Sequence, residues 1–116
     1  MEIPQKIQDE ITQFQKLQQQ AQAVTAQKQN LEIQIQENEN AIAQLKKTDA
    51  DATVYKTAGS LLIEVKLDEI STEVEEKIET LKLTEKRFSS QEKKLLEKLQ
   101  EKQSYIQESM TAAGIQ

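Results

Sequence analysis

The chain has 116 residues, of which 36% are hydrophobic and only 3% aromatic, a composition that argues against a compact globule with a thick core. Charged residues make up 30% of the chain, and glycine and proline are scarce, a composition typical of long helices. The formal net charge of −5 disfavours a nucleic-acid-binding coiled coil, because phosphate recognition needs a basic field.

Several function classes lack the residues that they require. The chain has neither cysteine nor histidine, and no glycine-rich phosphate loop, so we predict no enzymatic activity, no metal site and no cofactor. No apolar run approaches the roughly 20 residues of a membrane span, and the first residues lack the order of a signal peptide. The sequence therefore predicts a cytoplasmic protein that does not enter a membrane.

The first half of the chain carries a seven-residue repeat of apolar residues. A repeat sustained over six heptads favours a coiled-coil seam over the wider stripe of a helix on a globule. Pro4 suits the first turn of this helix, where its missing N–H costs nothing. The two series of the repeat are Ile7, Phe14, Ala21, Lys28, Ile35 and Ile42, and Ile3, Glu10, Leu17, Val24, Leu31, Asn38 and Leu45.

The segment VYKTAGSLLIEVK, residues 54–66, interrupts the helical pattern and predicts a β-hairpin. A loop of two or four residues centred on Ala58 and Gly59 would pair Val54 with Ile63. Leu61, Leu62 and Ile63 would then expose apolar surface on both faces, which two strands cannot bury. We expect the hairpin to join hairpins of other subunits, ideally in a closed barrel; the alternative is a plug on its own coil. The predicted assembly residues are Val54, Leu61, Ile63 and Val65 on one face, and Tyr55 and Leu62 on the other.

The second half repeats the heptad pattern from Leu67 onward and predicts a second long helix. Thr72 and Glu75 have the spacing of a capping box, with Glu73 and Glu76 also in the predicted first turn. Gly114 can close the helix. The seam series are Val74, Leu81, Phe88 and Leu95, and Ile78, Leu99, Ile106 and Ala113, interrupted by Glu85, Glu92 and Lys102.

Neither helix can bury its seam alone, so the simplest arrangement is an antiparallel two-helix coiled coil folded back at the hairpin. If the turn lies near Gly59, Lys28 falls between Glu85 and Glu92, and Glu10 lies within about one turn of Lys102. These charges would then specify the register, because a slipped alignment leaves them unpaired. The alternative is that they are exposed positions in a loosely wound coil.

Apolar residues gather at the free ends of the two predicted helices, which we call the tips. A coiled coil frays at its ends, so apolar tip residues could bind exposed hydrophobic segments of other proteins weakly, and methionine is well adapted to this. Several tips on one oligomer would strengthen such binding. Ordinary seam packing is the alternative for Ile7, Ile11, Phe14 and Ile106. The predicted tip residues are Ile3, Ile7, Ile11, Phe14, Tyr105, Ile106, Met110 and Ile115.

Three segments of the chain resemble the beta subunits of the prefoldin family, the archaeal form above all: PQKIQDEITQFQKLQQQAQAVTAQKQNLEIQIQEN, VYKTAGSLLIEV and LQEKQSYIQESM. The single hairpin favours the beta type. The resemblance implies a mainly α fold and a hetero-hexamer of two alpha and four beta subunits, whose hairpins form intersubunit β-barrels. It further implies an ATP-independent holdase chaperone that binds unfolded proteins at the coiled-coil tips and delivers them to a group II chaperonin.

We expect a single prefoldin-like domain over residues 1–116. It would comprise helix 1 over 1–49, the hairpin and its flanks over 50–67, helix 2 over 68–113 and a tail over 114–116. The competing hypothesis is a structural scaffold or adaptor, in which the hairpins assemble an oligomer and the tips dock one fixed partner.

Overall fold

Two long helices flank one β-hairpin in the computed structural model, which describes residues 2–115. The element order is α1 (Gln5–Lys46), β1 (Val54–Ala58), β2 (Leu61–Val65) and α2 (Leu67–Ala112). The described chain divides into two compact units. The terminal unit comprises Met1–Gln29 with Lys86–Gln116, and the hairpin unit comprises Asn30–Glu85.

The heptad of the first half decides which side chains of α1 are buried. Ile7 and Ala21 are buried in the terminal unit, and Ile35 and Ile42 are buried in the hairpin unit. All four belong to the series counted by sevens from Ile7. This spacing confirms that α1 packs through a coiled-coil seam.

Within the terminal unit, α1 and α2 run antiparallel, as two ion pairs between the helices show. From the first pair to the second, the residue number rises along α1 and falls along α2. The Glu10 carboxylate contacts the Lys102 ammonium, and Lys28 Nζ lies 3.3 Å from Glu92 Oε1. Both pairs match the predicted register. The four side chains are only 18–28% exposed, which contradicts the alternative of solvated positions in a loose coil.

Helix α2 begins at Leu67, one residue before the expected boundary at 68, so the predicted capping box of Thr72 and Glu75 does not form its first turn. The Lys66 carbonyl already accepts a hydrogen bond from the Ile70 N–H at 2.9 Å. Thr72 lies inside the helix, where its hydroxyl donates to the Asp68 carbonyl instead of capping an N–H group. Ile70 is buried, so starting the helix at Leu67 gains apolar burial that a start at Thr72 would forgo. The acidic residues of the first turn are accordingly Asp68 and Glu69, not Glu73, Glu75 and Glu76.

The hairpin register differs by two residues from the prediction. Val54 pairs with Val65 instead of Ile63, and Ala58 pairs with Leu61 across a two-residue loop of Gly59 and Ser60. Gly59 has φ +63° and no other described residue near the turn has a positive φ. The positive φ thus falls at the first position of the loop, as in a type II′ turn, which requires glycine there. A slip of two residues leaves every side chain on its predicted face.

Candidate functional site: an uncharged groove and an exposed hairpin

An open groove of about 560 Å³ lies in the terminal unit, between α1 and the last turns of α2. None of its lining side chains is charged, although 30% of the whole sequence is. Apolar side chains from both helices form most of its surface. The lining residues are Ile11, Phe14, Gln103, Ile106, Gln107, Met110, Thr111, Gly114 and Ile115.

The far end of α2 closes the groove with a tight backbone turn. Gly114 has φ +75°, its N–H donates to the Thr111 carbonyl at 3.0 Å, and the Ile115 N–H donates to the Met110 carbonyl at 2.8 Å. These two hydrogen bonds define a Schellman motif, which satisfies carbonyls that the helix end leaves free. Gly114 therefore ends the helix as predicted, and it brings Ile115 beside Met110.

Five of the eight predicted tip residues come together in this groove. They are Ile11, Phe14, Ile106, Met110 and Ile115. The other three lie elsewhere: Ile7 is buried, Ile3 is half-buried outside the groove, and Tyr105 is 41% exposed beside Glu101 and Lys102. For Ile7, ordinary seam packing is the better description.

The polar side of the groove escaped the sequence-based prediction. Gln103, Gln107 and Thr111 follow one another at intervals of four residues on α2, and all three line the groove. Residues four apart share one helix face, so this spacing was the available signal. Glutamine and threonine side chains can donate and accept hydrogen bonds without adding charge.

The hairpin presents apolar side chains to solvent on both faces. Leu61 is 64% exposed, Leu62 69%, Ile63 43% and Tyr55 57%. Leu61 and Ile63 share a face, whereas Leu62 and Tyr55 lie on the other. These exposures contradict the alternative of a hairpin that plugs its own coil. Val54 and Val65 are half-buried, so the hairpin end nearest the helices is the more sheltered one.

A second polar cluster lies in the seam of the terminal unit. Thr25 Oγ1 donates to Glu92 Oε2 at 2.6 Å, and Lys28 Nζ donates to Glu92 Oε1 at 3.3 Å. The hydrogen bond from Thr25, followed by that from Lys28, lowers the pKa of Glu92 below its ordinary value. A cluster built this way holds an ionised carboxylate between the two helices.

Residues 2–115 were also searched for metal sites and for membrane-spanning helices. No three histidine, cysteine, aspartate or glutamate side chains among them are grouped as a metal ion would need. No helix in that range is both long and apolar enough to cross a bilayer.

Comparison with known proteins identifies the family. A sequence model described as "Prefoldin subunit" matches residues 8–113. The prefoldin subunit beta of Methanothermobacter thermautotrophicus is 50% identical over 115 residues, covering 99% of this chain and 95% of that protein. That of Methanobrevibacter smithii is 52% identical over 110 residues, covering 95% of each.

A solved structure agrees with the sequence comparison. The crystal structure of the prefoldin beta subunit from Thermococcus strain KS-1 matches with a TM-score of 0.85 at 38% identity, covering 93% of this chain and 95% of that one. Two long helices joined by one hairpin, a heptad seam and nearly full-length similarity to several beta subunits lead to one conclusion. The chain belongs to the prefoldin subunit family.

Proposed function

We propose that the chain is a beta-type subunit of a hetero-hexameric, ATP-independent holdase that acts in the cytoplasm. In this proposal the groove binds exposed apolar segments of unfolded proteins, and the hairpin joins the chain to other prefoldin subunits. Two alpha and four beta subunits would make up the complex, which would pass its clients to a group II chaperonin.

The observation that carries the proposal is the uncharged, mainly apolar groove in a strongly charged chain. A groove of about 560 Å³ has room for a few large side chains and not for a folded domain. Its apolar walls favour leucine-, isoleucine- or phenylalanine-rich segments, which folded proteins bury and unfolded proteins expose. Met110 and Gln107 can adapt their rotamers, which suits binding without sequence preference.

Assembly is the second half of the proposed mechanism. One groove buries little area and should bind weakly, so holding a client requires several grooves on one body. Leu61, Leu62 and Ile63 are exposed in the single chain and offer the surface for such assembly. The same exposed strands would otherwise be an aggregation hazard.

The test compares groove variants with a matched control on the assembled complex. Ile11→Gln and Met110→Gln each remove an apolar side chain from the groove wall, and Ile33→Gln removes one that is 57% exposed on the same helix as Ile11 but outside the groove. Each groove side chain that a client covers should contribute about 1–2 kcal/mol, so each groove variant should weaken binding roughly 5- to 30-fold. Fluorescence titration with reduced, carboxymethylated α-lactalbumin, a permanently unfolded protein, measures this.

Ile33→Gln should bind the unfolded protein like the wild type and suppress its aggregation equally well. If both groove variants bind like the wild type while the complex stays assembled, the groove is not the client site. A scaffold with one fixed partner would then be the better description.

A further inference from the structure

The turn that ends α2 decides where Ile115 lies. If α2 continued through Gly114, Ile115 would lie four residues after Thr111, at the polar edge of the groove, and about 140° around the helix from Met110. Thr111 also borders a hollow that Glu108 lines, so this edge of the groove meets the charged face of α2. The observed turn instead brings Ile115 into the groove with Met110.

We infer that Gly114 is a positioning residue: its left-handed backbone carries Ile115 across the end of α2 to Met110 and makes it a wall of the groove. The inference rests on the proposed function, because it concerns how that groove is completed. Gly114 would act through Ile115 and not by touching the client.

The geometry separates a conformational role from a steric one. A Cβ atom added at Gly114 would meet no heavy atom within 4 Å, so a larger residue has room there. The φ of +75° nevertheless lies in the left-handed region, where residues with a side chain have a higher conformational energy than glycine. The energy is highest for β-branched residues. Substitution should therefore open the turn without causing a clash.

Asparagine provides the matched control, since it tolerates the left-handed region better than other non-glycine residues do. Gly114→Val should disfavour the turn roughly 5- to 30-fold, whereas Gly114→Asn should disfavour it much less. Both variants add a side chain at the same exposed position. Only the backbone preference separates them.

The experiment measures the dissociation constant for reduced, carboxymethylated α-lactalbumin in the complex assembled with its partner subunits. Gly114→Val should raise it about three- to tenfold and Gly114→Asn by no more than about twofold. Ile115→Ala should weaken binding by an amount similar to Gly114→Val, and the double variant should be no worse than Ile115→Ala alone. Methyl cross-relaxation between Ile115 and Met110 should disappear in Gly114→Val and persist in Gly114→Asn.

Two outcomes would overturn the inference. One is a Gly114→Val variant that loses the Ile115–Met110 signal and still binds like the wild type. The other is a full additional loss from Gly114→Val in the Ile115→Ala background, because the glycine would then act other than through Ile115. Failure of the proposed function looks different: Ile11→Gln and Met110→Gln would also leave binding unchanged.

Discussion

Replacing both exposed leucines of the hairpin by threonine should dissociate the complex while leaving the single chain folded. Threonine keeps a high strand propensity and retains one methyl group, so the Leu61→Thr/Leu62→Thr variant removes apolar surface without disfavouring the strand. In the single chain these side chains are 64% and 69% exposed, so little packing is lost there. The hairpin itself should persist.

The size of the effect follows from those exposures. Complete burial of a leucine that starts fully exposed contributes about 1.5–3 kcal/mol. Burying the exposed two thirds of each side chain therefore contributes about 1–2 kcal/mol, or about 2–4 kcal/mol for the pair. Since the threonines keep part of this area, the loss should be closer to about 2 than to about 4 kcal/mol, and the dissociation constant of one subunit should rise roughly 30-fold. Leu61 and Leu62 lie on opposite faces, so each single variant should show about half of the free-energy change.

Native mass spectrometry and sedimentation velocity over a dilution series, with partner prefoldin subunits present, measure the dissociation. Leu83→Thr is the matched control, because Leu83 is a 62% exposed leucine of the hairpin unit that lies on α2 and not on the hairpin. It should leave assembly unchanged. A double hairpin variant with intact strands and a wild-type dissociation midpoint would refute the assembly role of both faces.

Three further predictions concern the seam and the turn. Lys28→Glu should lower the thermal midpoint of unfolding, because it sets two carboxylates beside each other. The double variant Lys28→Glu/Glu92→Lys should restore most of the lost stability. If it restores none, the pair does not specify the register. Because the pKa of Glu92 is lowered in the folded chain, its stabilisation is present above the ordinary glutamate value of 4.5 and is lost as the pH falls through the folded value. An acid series of thermal melts should therefore fall more steeply for the wild type than for Glu92→Gln, and parallel curves would contradict this. Gly59→Val should weaken hairpin-mediated assembly by about 1–2 kcal/mol, because the φ of +63° at Gly59 is unfavourable for valine. The same dilution series measures this. Gly59→Asn should weaken assembly less, and an equal loss in both variants would argue against a backbone cause.

Periodicity made the helical part of the fold predictable. The series from Ile7 identified the buried side chains of α1, and opposite charges placed Glu10 near Lys102 and Lys28 between Glu85 and Glu92, of which the structure pairs it with Glu92. Such signals repeat over many turns, so one unfavourable position does not change the result.

The errors lie where a single local choice decides the structure. The hairpin register depended on whether Gly59 is the first or the second residue of the loop, and glycine suits both positions, so only the observed pairing of Ala58 with Leu61 decides it. The capping box at Thr72 was wrong although the expected start of α2 at residue 68 was within one residue, because capping-box spacing alone does not show that Ile70, before Thr72, is a buried helical residue. The groove was predicted in part. The position of its apolar residues near the helix ends could be read from the sequence, but which side of the coiled coil each one faces depends on the register and on the turn at Gly114.

The charged seam positions explain why the two sides of the groove meet. Glu10 directly precedes Ile11 on α1, and its partner Lys102 directly precedes Gln103 on α2, so this ion pair borders the groove that those neighbours line. A slip of one heptad would shift α2 by about 10 Å along α1 and separate Ile106 from Ile11. Apolar seam residues tolerate such a slip, because one heptad exchanges one apolar position for another. The Glu10–Lys102 pair does not, because a slip of one heptad brings Leu95 or Ser109 opposite Glu10 in a partly buried seam, whereas Lys28 would meet Glu85 in one of the two directions. A contact that adds little net stability thus fixes the alignment on which the groove depends.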